Sequence, residues 1–424
     1  MSKINTIEKI PELCLRLLKS KGLVGKEEIE QFLFPKLKDL RQPCEMKGLA
    51  ESAALITHYI ENDLQIVIWG DYDVDGTTAT GLLVNFFKEL GIEVKYHIPN
   101  RLTEGYGLNV KWLKGAISDF SSRNYLLITV DCGISNYREI EEIKALGGEV
   151  IVTDHHSIPP DGLPNCIVIN PSQSDCGFNK DKLAGVGVSF YLAAKIRSEL
   201  LVSSRWSKVA KAVNLKQYLG FVALGTVADL VEITQTNRIL VRAGLEALKT
   251  TIFPGLSGLL DSCGLYDEEI STEDIGFLIG PKINAAGRLG KSDVAIELFL
   301  AENEIDAREG AEKLERLNQK RKTICENDLE VALRLTSRQI VEDRFCSICS
   351  GDYHLGVAGI VASRLVEEYK VPAVVFAECK GENGDEFLKG SIRSVEGVSV
   401  IKALNECSDH IERYGGHDMA AGLT

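Results

Sequence analysis

Long apolar runs are missing from this 424-residue sequence: no segment approaches the roughly 20 apolar residues that a membrane helix requires, which excludes a helical membrane protein. The opening stretch, MSKINTIEKIPELCLRLLKSKG, lacks the charged-then-apolar layout and the small-residue cleavage site of a secretory signal, so a cytoplasmic location is the expectation. A positive charge balance is also lacking. The net charge of −13 speaks against nonspecific wrapping of a polyanion, because bulk nucleic-acid affinity comes from Lys and Arg neutralising phosphates. It leaves room for a metal-dependent phosphodiesterase, which needs carboxylates for its cations and only a local basic groove for its substrate. There is no internal repeat and no low-complexity tract. Nor do the 11 cysteines make a disulfide framework; most sit in apolar runs as small buried hydrophobes. The CxxC of Cys346 and Cys349 has no second pair at matching spacing, and FCSICS reads as a buried strand.

What is present is the composition of an ordinary globular protein, 45% hydrophobic and 26% charged, in a chain long enough for two domains and a connection. From about residue 64 to 170, short apolar runs alternate with longer amphipathic stretches. The runs QIVIW, IEVKYHI, YLLITV, EVIVT and CIVI each fit a buried strand, so the expected fold class is α/β, a doubly wound, mainly parallel sheet. After residue 182 the pattern is mainly helical. A charged helical run then bridges to a second, smaller α/β domain beginning near residue 340, with a strand in RFCSICSGDY, a helix in GVAGIVASRLVEEY and a strand in PAVVFAE. The expected organisation is a helical segment over residues 1–45, the main domain over 46–300, a connecting helix over 301–340 and the smaller domain over 341–424.

Sheets of this kind bind ligands beyond the carboxyl ends of their strands. QIVIW runs directly into GDYDVDGTTATGLL, bringing Asp71, Asp73 and Asp75 onto a strand-to-helix turn. YLLITV delivers Asp131, and EVIVT delivers Asp154, His155 and His156. A lone Asp often caps a helix and a DG pair often makes a turn. Acidic or histidine clusters after three of five strands exceed what caps require, because adjacent carboxylates repel one another unless cations lie between them. Carboxylates together with imidazole suit Mn²⁺ better than Ca²⁺, and a shared carboxylate such as Asp131 could bridge two ions.

GDYDVDG, VDCGIS, VTDHH and GTVADLVEI resemble the successive motifs of the DHH phosphoesterase superfamily, in order and over almost the whole chain. The resemblance implies metal ligands at Asp73, Asp75, Asp131, His155 and Asp229, with Asp71 and Asp154 supporting them and His156 facing the scissile phosphate. It implies two divalent ions, Mn²⁺ by preference with Mg²⁺ as the alternative. Several members carry His just before the GD of the first motif; Trp69 stands there here, so one ion would have fewer protein ligands.

Within the superfamily, IPNRLTEGYGL, PKINAAGRLG, GVAGIVASRL preceded by Tyr353 and His354, GSIRS and GGHDMAAG resemble segments of the RecJ family of single-stranded-DNA exonucleases. That implies a 5′-phosphate pocket at Arg101, Ser391 and Arg393, Arg288 as a catalytic partner of Asp131 and His156 at the scissile phosphate, and DNA contacts from His354 and His417. Arg suits a phosphate pocket because its planar fork pairs with two oxygens. The implied activity is 5′→3′ hydrolysis of single-stranded DNA to 5′-mononucleotides, in DNA repair and recombination, with a helicase and single-strand-binding protein as partners and no membrane association. Family members continue beyond GGHDMAAG through the rest of the DHH-associated domain into an oligonucleotide-binding barrel, so weaker DNA grip and poorer processivity are expected of a sequence ending at Thr424. Two other readings compete. A phosphodiesterase of short oligonucleotides or signalling dinucleotides would tolerate the missing barrel. A non-catalytic DNA-binding scaffold would be free to lose ligands, whereas all five are present.

Overall fold

The five apolar runs pair as strands β1 (Gln65–Trp69), β2 (Lys95–His97), β3 (Tyr125–Val130), β4 (Gly148–Thr153) and β5 (Ile167–Ile169). They form one parallel sheet in the order β2-β1-β3-β4-β5. The structure is a computed structural model, and it describes residues 10–120, 124–233, 235–266, 268–341, 345–381 and 384–424. Of IEVKYHI only Lys95–His97 pair, because β2 is an edge strand with a single neighbour.

Successive strand residues point to opposite faces. Val67, Trp69, Tyr125, Leu127, Val150, Val152 and Val168 therefore share one core, closed by Leu113 of helix α3 (Val110–Ala116) and by Ile140 and Ile143 of α4 (Tyr137–Ala145). The alternate residues Ile66, Ile68, Leu126, Ile128, Val130, Ile151 and Ile169 are buried as well, on the face covered by α1 (Leu49–Glu61), α2 (Val74–Glu89) and α5 (Gly185–Leu200). With helices on both faces, the sheet is doubly wound, and its strands read as continuous apolar runs because neither face meets water. Against α2 and α5 packs α6 (Leu219–Ala228), whose residues from Leu219 to Val227 are all buried, as an all-round apolar helix demands. Helix α7 (Gln235–Leu248) lies against α6.

Two compact units emerge. The first comprises the chain up to Asn100, Glu104–Asn284 and Ser292–Lys313; the second comprises Arg101–Thr103, Ala285–Lys291 and Leu314–Thr424. Helices α8 (Gly280–Arg288) and α9 (Glu304–Val341) each contribute to both. In the first unit the N-terminal segment is tied down by Arg41, whose Nε lies 2.8 Å from the fully buried carboxylate of Asp181.

The second unit is built on strands β6 (Ser347–Gly351), β7 (Ala373–Lys380), β8 (Glu386–Arg393), β9 (Tyr414–His417) and β10 (Ala420–Leu423), in the order β6-β7-β8-β10-β9. Only β6 and β7 run parallel. Helix α10 (Leu355–Tyr369) buries Val357, Ala358, Val361, Ala362 and Leu365 against Cys349, Val375 and Ala377. The other face buries Val374, Ile392, Val400, Leu404 and Ala421, with Cys346 beside them. Cys346 and Cys349 thus belong to different cores, as residues three apart on an extended chain must, and cannot chelate one ion together. The outer edge of β6 is closed by the Gln339 amide, which donates to Ile348 O at 2.6 Å and accepts from Ile348 N at 2.9 Å.

Candidate metal centre

β1 ends in Trp69, whose indole is buried in the sheet core, donates to Gly107 O at 3.2 Å and offers no ligand. The chain then turns into α2, with Asp73 at its N-cap accepting from Gly76 N at 3.0 Å. Capping and metal binding are therefore not alternatives for Asp73. Asp75, the second residue of α2, is held by the start of α5: Gly185 N donates at 2.6 Å and Val186 N at 2.9 Å, one to each carboxylate oxygen. A helix N-terminus is suited to this, since its free N–H groups and dipole favour an anion.

Asp131 follows β3 with a left-handed backbone, φ 62°, in the sparsely populated region that marks functional strain. After β4, Asp154 is fully buried and accepts from Ile134 N at 2.9 Å, His155 N at 2.7 Å, His156 N at 3.0 Å and His156 Nδ1 at 2.7 Å. It fixes both histidines. Asp229 closes the C-terminus of α6.

These elements converge on His155 Nε2, which lies 3.1 Å from Asp131 Oδ1, 3.5 Å from Asp229 Oδ2 and 3.7 Å from Asp75 Oδ2. Three overlapping sets have donor atoms within 4.8 Å of one another: Asp131 with His155 and His156, Asp75 with His155 and Asp229, and Asp71 with Asp73 and Asp131. Every residue read from the sequence as a ligand falls in one of them. Asp131 Oδ1 and His155 Nε2 are buried and make no hydrogen bond, which a buried polar atom tolerates only at a cost unless something binds it.

The electrostatics point the same way. Burial and then the charges of Asp229 and Asp73 push Asp75 well above the usual carboxylate range, against the two helix N–H groups. Burial and then Asp75, Asp73, Asp71 and Asp154 do the same to Asp131. Asp229 is pushed up to about 7 by burial and by Asp73, with His156 opposing. His155 is lowered to about 4 by burial and by the neighbouring His156. Burial would lower His156 too, but its hydrogen bond and charge pairing with Asp154 outweigh that and raise it to about 9. Carboxylates crowded this closely lose their mutual repulsion when cations sit between them. The donor set, oxygen with one or two imidazoles, fits Mn²⁺ or Mg²⁺.

Tyr106 lies beside this cluster, its ring centroid 6.1 Å from that of His156 and 6.5 Å from that of Tyr72. The sequence reading missed Tyr106 and the Asp75-binding N–H groups of Gly185 and Val186. The glycine-rich start GVGVSF was the available signal for the latter.

The other site residues lie in the second unit. On β8, Arg393 NH1 is 3.2 Å from Ser391 Oγ. Burial and then the charge of Arg101 lower the Arg393 pKa, so the two guanidinium groups lie within electrostatic reach of each other. Helix α10 passes close by: a Cβ on Gly359 would sit 2.8 Å from Arg393 NH2 and 3.0 Å from Ser391 Oγ. Arg288 NH1 donates to Gly356 O at 3.2 Å. His354 is the N-cap of α10, its Nδ1 accepting from Gly356 N at 3.1 Å. His417 lies exposed on the edge strand β9.

Residues 65–226 match the DHH family, N-terminal domain, and residues 342–424 match the DHHA1 domain. The single-stranded-DNA-specific exonuclease RecJ of Bacillus subtilis is 35% identical over 419 residues, which are 98% of this chain and 50% of that protein. Its Escherichia coli counterpart is 35% identical over 428 residues, 98% of this chain and 72% of that protein. The crystal structure of RecJ in complex with Mn²⁺ from Thermus thermophilus superposes with a TM-score of 0.75 at 32% identity, covering 89% of this chain and 52% of that one. The chain thus spans half the length of one curated relative and 72% of the other. The match in sequence, in fold and in the order of both domains places the chain in the RecJ family of DHH proteins.

Proposed function

We propose that the chain is a metal-dependent nuclease that hydrolyses single-stranded DNA from its 5′ end, releasing 5′-mononucleotides, with two divalent cations and Mn²⁺ preferred over Mg²⁺. The observation that carries this reading is the trio of overlapping carboxylate–histidine sets around the unsatisfied atoms of Asp131 and His155. Asp73, Asp75, Asp131, His155 and Asp229 would hold the cations, and Asp131, common to two of the sets, suits a bridge. Such cations, when bound, neutralise phosphate charge and lower the pKa of the attacking water.

The protein's own groups would do the rest. His156, kept protonated by Asp154 at Nδ1, presents Nε2–H to a phosphate oxygen as charge develops there. Arg288 would add a second positive charge. Arg101, Ser391 and Arg393 would take the terminal 5′ phosphate, which sets polarity by accepting an end and refusing an internal linkage. Asp71 and Asp154 would support the ligands, and His354 and His417 would contact the strand. Work in the cytoplasm, in DNA repair and recombination beside a helicase and single-strand-binding protein, accords with this activity.

The test uses Mn²⁺ and a 3′-labelled strand of about 30 nucleotides, longer than the site of one single-strand groove, with and without a 5′ phosphate, beside a duplex and an Asp131→Ala control. Shortening of the single strand from its 5′ end, lost in the control, is the expected result. An untouched strand alongside cleaved dinucleotides would transfer the assignment to a short-oligonucleotide phosphodiesterase.

A further inference from the structure

Leu230 follows Asp229 directly, and two features of it cost stability. Its backbone is left-handed, φ 60°, at the position after a helix C-cap where glycine is the unstrained residue. Its side chain is 87% exposed. A lone exposed leucine on ordinary backbone needs no explanation. An exposed leucine on strained backbone next to a candidate metal ligand does, since neither cost is repaid among the described residues.

The backbone here is fixed at both ends. Asp229 N donates to Gly225 O at 2.9 Å and Leu230 N to Val227 O at 3.3 Å. Two residues on, Glu232 pairs with Lys182, and its carbonyl accepts from Asn237 Nδ2 at 2.9 Å. The leucine is thus presented at a set place beside Asp229, whose carboxylate stands 3.5 Å from His155 Nε2. The carboxylates of the centre, Asp71, Asp73, Asp75, Asp131 and Asp229, are taken up by cations in that reading, and neither they nor the cations have anything to offer an uncharged sugar or base. A contact with the rest of a nucleotide must come from an uncharged side chain beside them.

We propose that Leu230 is a substrate-contacting residue that packs against the sugar and base of the nucleotide at the scissile phosphate. This rests on the nuclease reading above. Contact with the base face is tolerant of sequence, because every base presents an apolar face. The strain persists because glycine, which would relieve it, has no side chain to make the contact.

The test compares the full chain with Leu230→Gly and Leu230→Met, in Mn²⁺, on a 5′-phosphorylated oligothymidylate and on the same strand with abasic units at its first two positions. Leu230→Gly should raise its Tm slightly, as the backbone strain is relieved, and keep its Mn²⁺ affinity by calorimetry, yet raise KM by on the order of tenfold, the scale of a small apolar contact. Leu230→Met should restore most of the loss. Abasic units should raise KM for the parent and change it much less for Leu230→Gly. Binding by fluorescence anisotropy, compared between Asp131→Asn and Asp131→Asn/Leu230→Gly, reads the contact without turnover. A parent chain that binds the strand without cutting it, with binding weakened by Leu230→Gly, would sink the nuclease reading and leave the contact standing. An unchanged KM and affinity in Leu230→Gly would overturn the contact. So would a KM rise matched by lost Mn²⁺ affinity, which would make Leu230 a positioning residue for Asp229.

Discussion

Asp229 couples the centre to pH. Its carboxyl is held at about 7 against an ordinary 3.8, so in the metal-free protein it contributes stability that is fully present at low pH and is lost as pH rises through about 7. Cations held by Asp229 would reverse the balance, because they would bind the ionised form. Saturation at a hundred times Kd stabilises the fold by about 2.7 kcal/mol. Calorimetry after chelation should therefore show Tm falling between about pH 4 and pH 7, and the increment from Mn²⁺ growing across the same window. An increment equal at both ends would count against the ligand assignment. Asp154 acts differently, since it falls in none of the three carboxylate–histidine sets and accepts four hydrogen bonds instead. Asp154→Asn would set its amide against the Ile134 N–H if its oxygen keeps the histidine bonds, leaving that N–H and the new amide N–H buried without an acceptor, at about 1–3 kcal/mol for each. With His156 no longer charged, activity should fall by about 10–100-fold, the usual effect of losing a group that orients a ligand. An activity within twofold of the parent would refute that role.

Among the elements, the start of α5 has the tightest tolerance. A methyl at Gly185 would lie 2.7 Å from Asp131 Cβ and 2.9 Å from its Oδ1, whereas the atoms nearest one at Gly187 belong to Leu183, at an ordinary 3.5 Å or more. Gly185→Ala should cost about 1–3 kcal/mol and weaken Mn²⁺ binding, while Gly187→Ala should be neutral or stabilising by about 0.5–1 kcal/mol. Denaturant melts of the two variants beside calorimetric Mn²⁺ titration decide it; equal effects would show that the approach of α5 to Asp131 is slack. The same helix marks where sequence reading stops. The strands were legible because burial on both faces leaves continuous apolar runs, and the acids after them because such sheets bind ligands at that edge. Asp229 was not, since it ends an all-apolar helix and only the family motif singled it out. The N–H groups that hold Asp75 are signalled only by the glycines of GVGVSF, and the left-handed backbones of Asp131 and Leu230 by nothing in their side chains. In the second unit, β6 and β7 were readable as apolar runs; β8, β9 and β10 were not, because EFLKGSIR is interrupted by charged residues and a glycine and the last two strands are short and contain glycine.

Over the whole molecule, a net charge of −13 sets a condition on how a polyanion is held. Each phosphate neutralised by a cationic side chain releases counterions, and for single strands it adds about 0.7 to the slope of log affinity against log salt. A chain that gripped the strand along its length would show a steep slope. One that engages the terminal phosphate through Arg101 and Arg393, and the rest through uncharged contacts, should show a shallow one. Arg101→Ala and Arg393→Ala should each reduce the slope by about 0.7 and abolish the preference for a 5′-phosphorylated over a 5′-hydroxyl strand, without altering Mn²⁺ affinity. Anisotropy titrations of both strands over a range of NaCl measure these quantities together. An unchanged slope with a lost phosphate preference would mean that the pocket reads the end by shape and hydrogen bonding, with Ser391 as its principal donor. An unchanged preference would place the recognition of the 5′ end elsewhere in the protein.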